Sequence, residues 1–113
     1  MVDFAITPDK WGPSGWRFFH YATLAYPVDP VSSDKLNMLN FIESFGKILP
    51  CNTCRNHFKN NLIINPITDS VLFSRNNLVS WGIDMHNLVN KQLGKKVYTQ
   101  KEAMESLTNM VNG

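Results

Sequence analysis

An all-α chain is what this sequence predicts, and three features predict it. Apolar residues recur at helical spacing in several separate stretches. No stretch alternates with the two-residue period of a half-buried strand. Proline, glycine and helix-capping residues fall where those stretches begin and end. The length of 113 residues suits one domain, and 43% hydrophobic residues against 18% charged supply one packed core and exclude a disordered chain. Residues 1–113 therefore read as a single domain.

The elements follow in order. Residues 1–10 read as an irregular entry, and Trp11-Gly12-Pro13-Ser14-Gly15 as a turn that launches a helix. The first helix runs from Trp16 to about Ala25, with Trp16, His20 and Thr23 on one face and Phe18, Ala22 and Ala25 on another. Pro27 and Pro30 bound a loop. Ser32, Ser33 and Asp34 are N-cap candidates for a second helix, whose inward positions are Met38, Phe41, Ile42, Phe45, Ile48 and Leu49. Pro50 ends it and can open a third helix at the first-turn position. That helix runs from about Cys51 to Leu62 or Ile63, with Cys54, Phe58 and Leu62 on one face. Residues 67–77 are ambiguous between a helical turn and a packed loop. A fourth helix spans about Leu78 to Leu93, with Leu78, Trp81, Met85 and Leu88 on one face and Gly82, His86, Val89 and Leu93 on another; Gly94 stops it. Thr99-Gln100-Lys101-Glu102 is a capping box for a short last helix that turns Ala103, Met104, Leu107 and Val111 inward.

Composition excludes some functions. Eleven Lys and Arg against nine Asp and Glu give a net charge of +2, too little for a nucleic-acid binder held by phosphate contacts. No apolar run is long enough to span a membrane. Met1-Val2-Asp3-Phe4 does not open a signal peptide, so the expected location is the cytoplasm.

The chemistry centres on the two cysteines, Cys51 and Cys54. A bridge between them closes too small a loop to be a strong staple. Without a secretory signal, C-x-x-C reads as redox-active or metal-binding. At a helix N-terminus, partial positive charge lowers a thiol pKa, and Arg55 and His57 add positive charge nearby. The pair thus suits dithiol–disulfide exchange. Two buried, inert thiols are the bland alternative. A zinc set of Cys51, Cys54, His57 and a second histidine is another. On a helix, however, His57 lies about 60° from Cys54 and about 120° from Cys51.

His20 and His86 each fall on an inward face, where a histidine is most simply a hydrogen-bonded core residue. His86 and Asn90, four apart, stack on one face and need partners if buried. Trp11, Trp16, Tyr26, Trp81 and Tyr98 could stack on a flat ring, although any one of them is equally a core residue. Lys91, Lys95 and Lys96 could meet phosphates, or simply solvate a helix C-terminus.

Three motifs in order resemble the Erv/ALR flavin-dependent sulfhydryl oxidases. Gly12, Trp16 and His20 match that family's G-x-x-x-W-x-x-x-H, and Tyr26-Pro27 its following Tyr-Pro. Pro50-Cys51-Asn52-Thr53-Cys54 resembles its P-C-x-x-C. Trp81 with His86, Asn87, Val89, Asn90, Leu93 and Lys95 resembles its W-x₄-H-N-x-V-N-x-x-L-x-K. The resemblance covers about residues 11–98. It implies a four-helix bundle with a short fifth helix, usually a homodimer, with FAD at the bundle mouth. It implies cofactor contacts from Gly12, Trp16, His20, Tyr26, His86, Asn87, Val89, Asn90 and Lys95, with Trp81 on the adenine side. Tyr98 joins that set as a stacking aromatic. Cys54 would lie next to the flavin, and Cys51 would exchange with substrate. The implied reaction oxidises a protein dithiol, on a thioredoxin-like carrier, through Cys51–Cys54 and FAD to molecular oxygen, giving hydrogen peroxide.

The sequence departs from the family in places. A second disulfide found in most cellular members is lost at both ends, at Ile83 and Gln100, so packing must hold that corner. There is no second cysteine pair to act as a shuttle. Pro13 stands where an Arg or Lys is usual, and a terminal Arg-Trp is not evident. Short versions with one C-x-x-C are typical of large cytoplasmic DNA viruses, which implies host cytoplasm or virion. Two rival readings remain in view: a non-catalytic zinc module, and a helical adaptor that binds a partner through an apolar face.

Overall fold

A computed structural model describes residues 4–113 and holds six helices: α1 Pro8–Leu24, α2 Ser32–Ile48, α3 Asn52–Ile64, α4 Asp69–Leu72, α5 Arg75–Gln92 and α6 Gln100–Asn112. No strand occurs among the described residues. The expected lack of a signal segment rested partly on Met1–Asp3, which lie outside them.

The first helix starts earlier than the sequence predicts. Thr7 is extended and Pro8 takes the first turn, where its missing N–H costs nothing, so residues 8–10 of the expected entry are helical and, among its described residues, only 4–7 are irregular. Trp11–Gly15 is helical rather than a turn. Gly15 serves there by its size: a Cβ would stand 2.8 Å from the Trp11 ring. Phe19 fills the core, whereas Phe18 and Ala25 face outward, because the true inward stripe is Trp16, Phe19, His20 and Thr23.

Helix α2 is capped at Val31, whose N–H donates to Asp34 at 2.9 Å, so Ser32–Asp34 form the first turn instead of the cap. Ile48 is exposed, because the chain leaves the helix at Leu49 and turns that side chain inward instead. Pro50 precedes the next cap and does not open α3; Cys51 is the N-cap. At the crossing of α2 and α3, Gly46 abuts Phe58, and a Cβ there would run into the ring. The ambiguous stretch contains the single turn α4, capped by Thr68, and α5, capped by Ser74, starts at Arg75, three residues before the predicted Leu78. Gly94 takes φ 68° and stops α5, leaving Leu93 exposed. Thr99 and Glu102 form the capping box of α6, which at 13 residues matches α3 in length and is not short. Its inward stripe is Ala103, Leu107 and Met110; Met104 and Val111 lie on the neighbouring stripe and are exposed.

Helix α5 is the hub, packing on α1, α3, α4 and α6. Phe19, Ile42, Leu78 and Met85 are fully enclosed in the main core, which Trp81, Phe58 and Leu49 extend. Tyr26 fastens the end of α1 to the far side: its hydroxyl donates to Leu72 O at 2.7 Å and its carbonyl accepts from Arg75. Ile83 packs with Val79 and Leu107 in a second cluster between α5 and α6. Gln100 Nε2 donates to Ser80 O and to Asp84 Oδ1, at 3.2 and 2.9 Å. Apolar contact and hydrogen bonds thus hold the corner where the expected family disulfide is missing. No described helix is long and apolar enough to cross a membrane.

Candidate active site

Leu49-Pro50 leads out of α2 and sets Cys51 in an extended conformation at the N-cap of α3, with Cys54 at its third position. The two sulfurs are bonded, with Cα atoms 5.3 Å apart. Cys51 Sγ also accepts the Cys54 N–H at 3.1 Å, so one sulfur satisfies a free donor of the helix start. The Arg55 guanidinium donates to Leu49 O and Asn52 Oδ1 on either side of Cys51. Cys54 packs against the main core. The pair sits in the positive end of the α3 dipole, which stabilises sulfur as a thiolate once the bond opens.

Both cysteines line one cavity of about 990 Å³, at the upper end of the range for small-molecule sites. Phe45, Leu49 and Phe58 provide apolar wall beside the disulfide. Trp16 and His20 reach it from α1, with Gly12 one turn earlier. His86, Asn87, Val89 and Asn90 reach it from α5, and Lys95 and Tyr98 from the segment after α5. The sequence motifs, far apart in the chain, thus converge on one space. Two expected members do not: Tyr26 and Trp81 are absent from the lining and are each 3% exposed in the core. Their polar atoms are already used, Tyr26 Oη on Leu72 O and Trp81 Nε1 on Asn65 O at 3.0 Å.

The histidines form a pair. His20 Nε2 and His86 Nδ1 are 2.8 Å apart, so one ring donates and the other accepts. Trp16 stacks on His86 with centroids 4.1 Å apart and planes within 4°. Burial pushes both imidazoles from 6.5 down to about 4, and His20 and Lys95 reinforce this at His86. The pair is therefore neutral near pH 7, with one ring nitrogen as donor and the other as acceptor.

Buried His20 Nδ1 and Trp11 Nε1 have no hydrogen-bond partner among the described residues, and both residues line the cavity. Such atoms are costly unless something meets them. A large ligand with flat rings and polar edges fits this wall, and lysines 95 and 96 at the rim suit its phosphates. FAD has that chemistry, and the residues present fit it.

Sequence reasoning missed part of the wall. Ile6, Asp9 and Arg17 line it near the chain start, and Ser106 and Met110 line it from α6. No spacing rule marks them, because their place depends on how α1, the segment before it and α6 dock. The zinc reading finds no support: the two sulfurs are bonded to each other, and no group of three or more His, Cys, Asp or Glu is placed to hold a metal among the described residues.

Comparison with known proteins points the same way. A family model described as the Erv1/Alr family matches residues 13–108. The chain is 45% identical over 102 residues to a probable FAD-linked sulfhydryl oxidase of Acanthamoeba polyphaga mimivirus, covering 90% of this chain and 71% of that one. It is 34% identical over 92 residues to a FAD-linked sulfhydryl oxidase of African swine fever virus, covering 81% and 75%. The crystal structure of the yeast Erv1 core superposes with a TM-score of 0.75 at 32% identity, covering 86% of this chain and 79% of that one. The FAD-binding domain of Erv1 from Saccharomyces cerevisiae gives a TM-score of 0.77 at 30% identity, covering 84% and 88%.

Proposed function

We infer the chemistry from one premise: the chain belongs to the Erv1/Alr family. It is a FAD-dependent thiol (sulfhydryl) oxidase that forms disulfides in protein substrates, drawing electrons from their dithiols through Cys51–Cys54. The observation that carries this reading is a disulfide at a helix N-terminus opening into the cavity that Trp16, His20 and His86 line.

A substrate thiolate attacks Cys51 Sγ, forms a mixed disulfide and breaks the bond to Cys54, which leaves as a thiolate. Cys51 stands outside the helical repeat at the N-cap while Cys54 packs against the core, which supports Cys51 as the sulfur attacked and Cys54 as the one that leaves. A second substrate thiolate then attacks the mixed disulfide, releases Cys51 and leaves the substrate oxidised. The enzyme pair now carries two electrons as a dithiol. Bound FAD supplies the acceptor for those electrons and the route to oxygen, with hydrogen peroxide as product. Trp16 and the His20–His86 pair would hold its flat surfaces, Gly12, Val89 and Asn90 its edges, and Lys95 and Tyr98 the outer end.

The substrate is a dithiol carrier of thioredoxin-like chemistry, supported by the half-buried Cys51 at the start of α3, where a partner's thiolate can reach it. The working form is a homodimer, supported by large apolar side chains left exposed, Phe18 and Leu36 among them. Its place is the host cytoplasm or the virion of a large DNA virus, supported by the viral relatives.

A visible absorbance spectrum of the purified chain tests the core of the reading. Flavin bands, with stoichiometric FAD released on denaturation, are the expected result. A colourless protein that takes up no added FAD would overturn it.

A further inference from the structure

Asn87 stands in the string expected to touch FAD, yet its amide is already engaged. Its Nδ2 donates to Tyr98 O at 2.8 Å, and its Oδ1 accepts the Tyr98 N–H at 2.9 Å. Asn90 Nδ2 faces the same oxygen at 3.4 Å. Both acceptor positions and one of the two donors are thus taken. We propose that Asn87 is a positioning residue: it ties down the segment 93–99, which brings Lys95, Lys96 and Tyr98 to the cavity. This rests on the FAD reading.

The segment needs such a tie. All residues from 91 to 101 are exposed, so no buried side chain anchors it. Gly94 turns it away from α5, and Lys95 N–H bonds Asn90 O at 2.7 Å. The Lys96–Glu102 ion pair at 2.9 Å and the Lys96 ammonium 4.8 Å above the Tyr98 ring bind the segment to itself and to α6, but not to α5. The two Asn87 bonds are therefore what fixes Tyr98 on α5. Thr99 follows at once as the cap of α6, so this tie acts together with the Gln100 side-chain bonds to Ser80 O and Asp84 Oδ1 in setting where α6 begins.

Amide exchange in the flavin-loaded, isotope-labelled chain, with FAD affinity measured alongside, tests this. In Asn87→Ala, Tyr98 amide exchange is expected to speed up by on the order of tenfold or more, and FAD binding to weaken by roughly tenfold. Asn87→Ala and Lys95→Ala should be non-additive in FAD affinity, because the first acts through the position of the second. Unchanged Tyr98 protection with weakened FAD binding would make Asn87 a direct ligand and overturn the proposal. Additive losses, or lost protection with unchanged affinity, would overturn it too. If Asn87→Ala fails to fold, Asn87→Asp keeps the acceptor for Tyr98 N–H and should loosen Tyr98 by a smaller factor; no loosening there counts against the clamp. A wild-type chain that binds no FAD defeats the cofactor reading alone, and Tyr98 exchange still decides whether Asn87 holds the segment.

Discussion

Cys51 and Cys54 are three residues apart and share one bond, but their surroundings differ. Cys51 is the N-cap, outside the helical repeat, while Cys54 lies inside α3 against the core. Cys54→Ala is expected to abolish turnover of dithiothreitol with oxygen; persistent turnover would contradict its assignment. Cys51→Ala should keep the flavin and lose exchange with substrate, seen as an intact flavin spectrum in an inactive protein. At the histidine pair the sign of the pH effect follows from lowered pKa values. Both rings sit near 4 in the folded chain against 6.5 unfolded, so the unfolded chain takes up protons first as pH falls. The contribution to stability is complete above about 6.5 and is lost towards about 4. Thermal unfolding of the cofactor-free chain should show Tm falling through that window; a flat Tm would mean that the pair is not neutral by burial.

Helices α2 and α3 cross where Gly46 meets Phe58, with no room for a methyl group. Gly46→Ala should cost about 1–3 kcal/mol, the usual penalty of overpacking, and lower the urea midpoint with little change in slope. An unchanged midpoint would mean that Phe58 moves aside freely. Helices α3 and α5 are joined by a polar contact that periodicity does not reveal: fully enclosed Asn61 accepts from Gln92 Nε2 at 2.8 Å. Element existence was legible in the sequence, because caps and stops are local: Thr99 with Glu102, and Gly94, act within one turn. Starts were less legible. Thr7, Val31 and Cys51 stand at N-caps without a side-chain oxygen accepting from the first turn; at Cys51 a sulfur does so instead.

Across the whole molecule, the one disulfide closes a loop of four residues, and the chain has no other cysteine. Its loop-closure value is at most about 2 kcal/mol. The bundle should therefore stay helical and unfold cooperatively in excess dithiothreitol, with Tm lowered by less than about 10 °C. Circular dichroism melts with and without reductant check this; loss of the cooperative transition would show that the bridge carries the fold. The corner at Ile83 and Gln100 gives the reason to expect survival, since Leu107 and the bonds to Ser80 and Asp84 hold α6 without sulfur.

The sequence by itself determined an all-helical chain and the redox pair at a helix start. Helical periodicity, caps and the C-x-x-C are short-range patterns, set by one turn of backbone. Only the tertiary structure decided which of the expected residues reach the cavity. Tyr26 and Trp81 carry the right chemistry, but their polar atoms are used by Leu72 and Asn65 in the core. Asn87 reaches the cavity and spends its amide on Tyr98. Ser106 and Met110 gained their place because α6 docks on α5. A side chain's partner depends on what the rest of the fold brings within hydrogen-bond reach, and no local pattern encodes that.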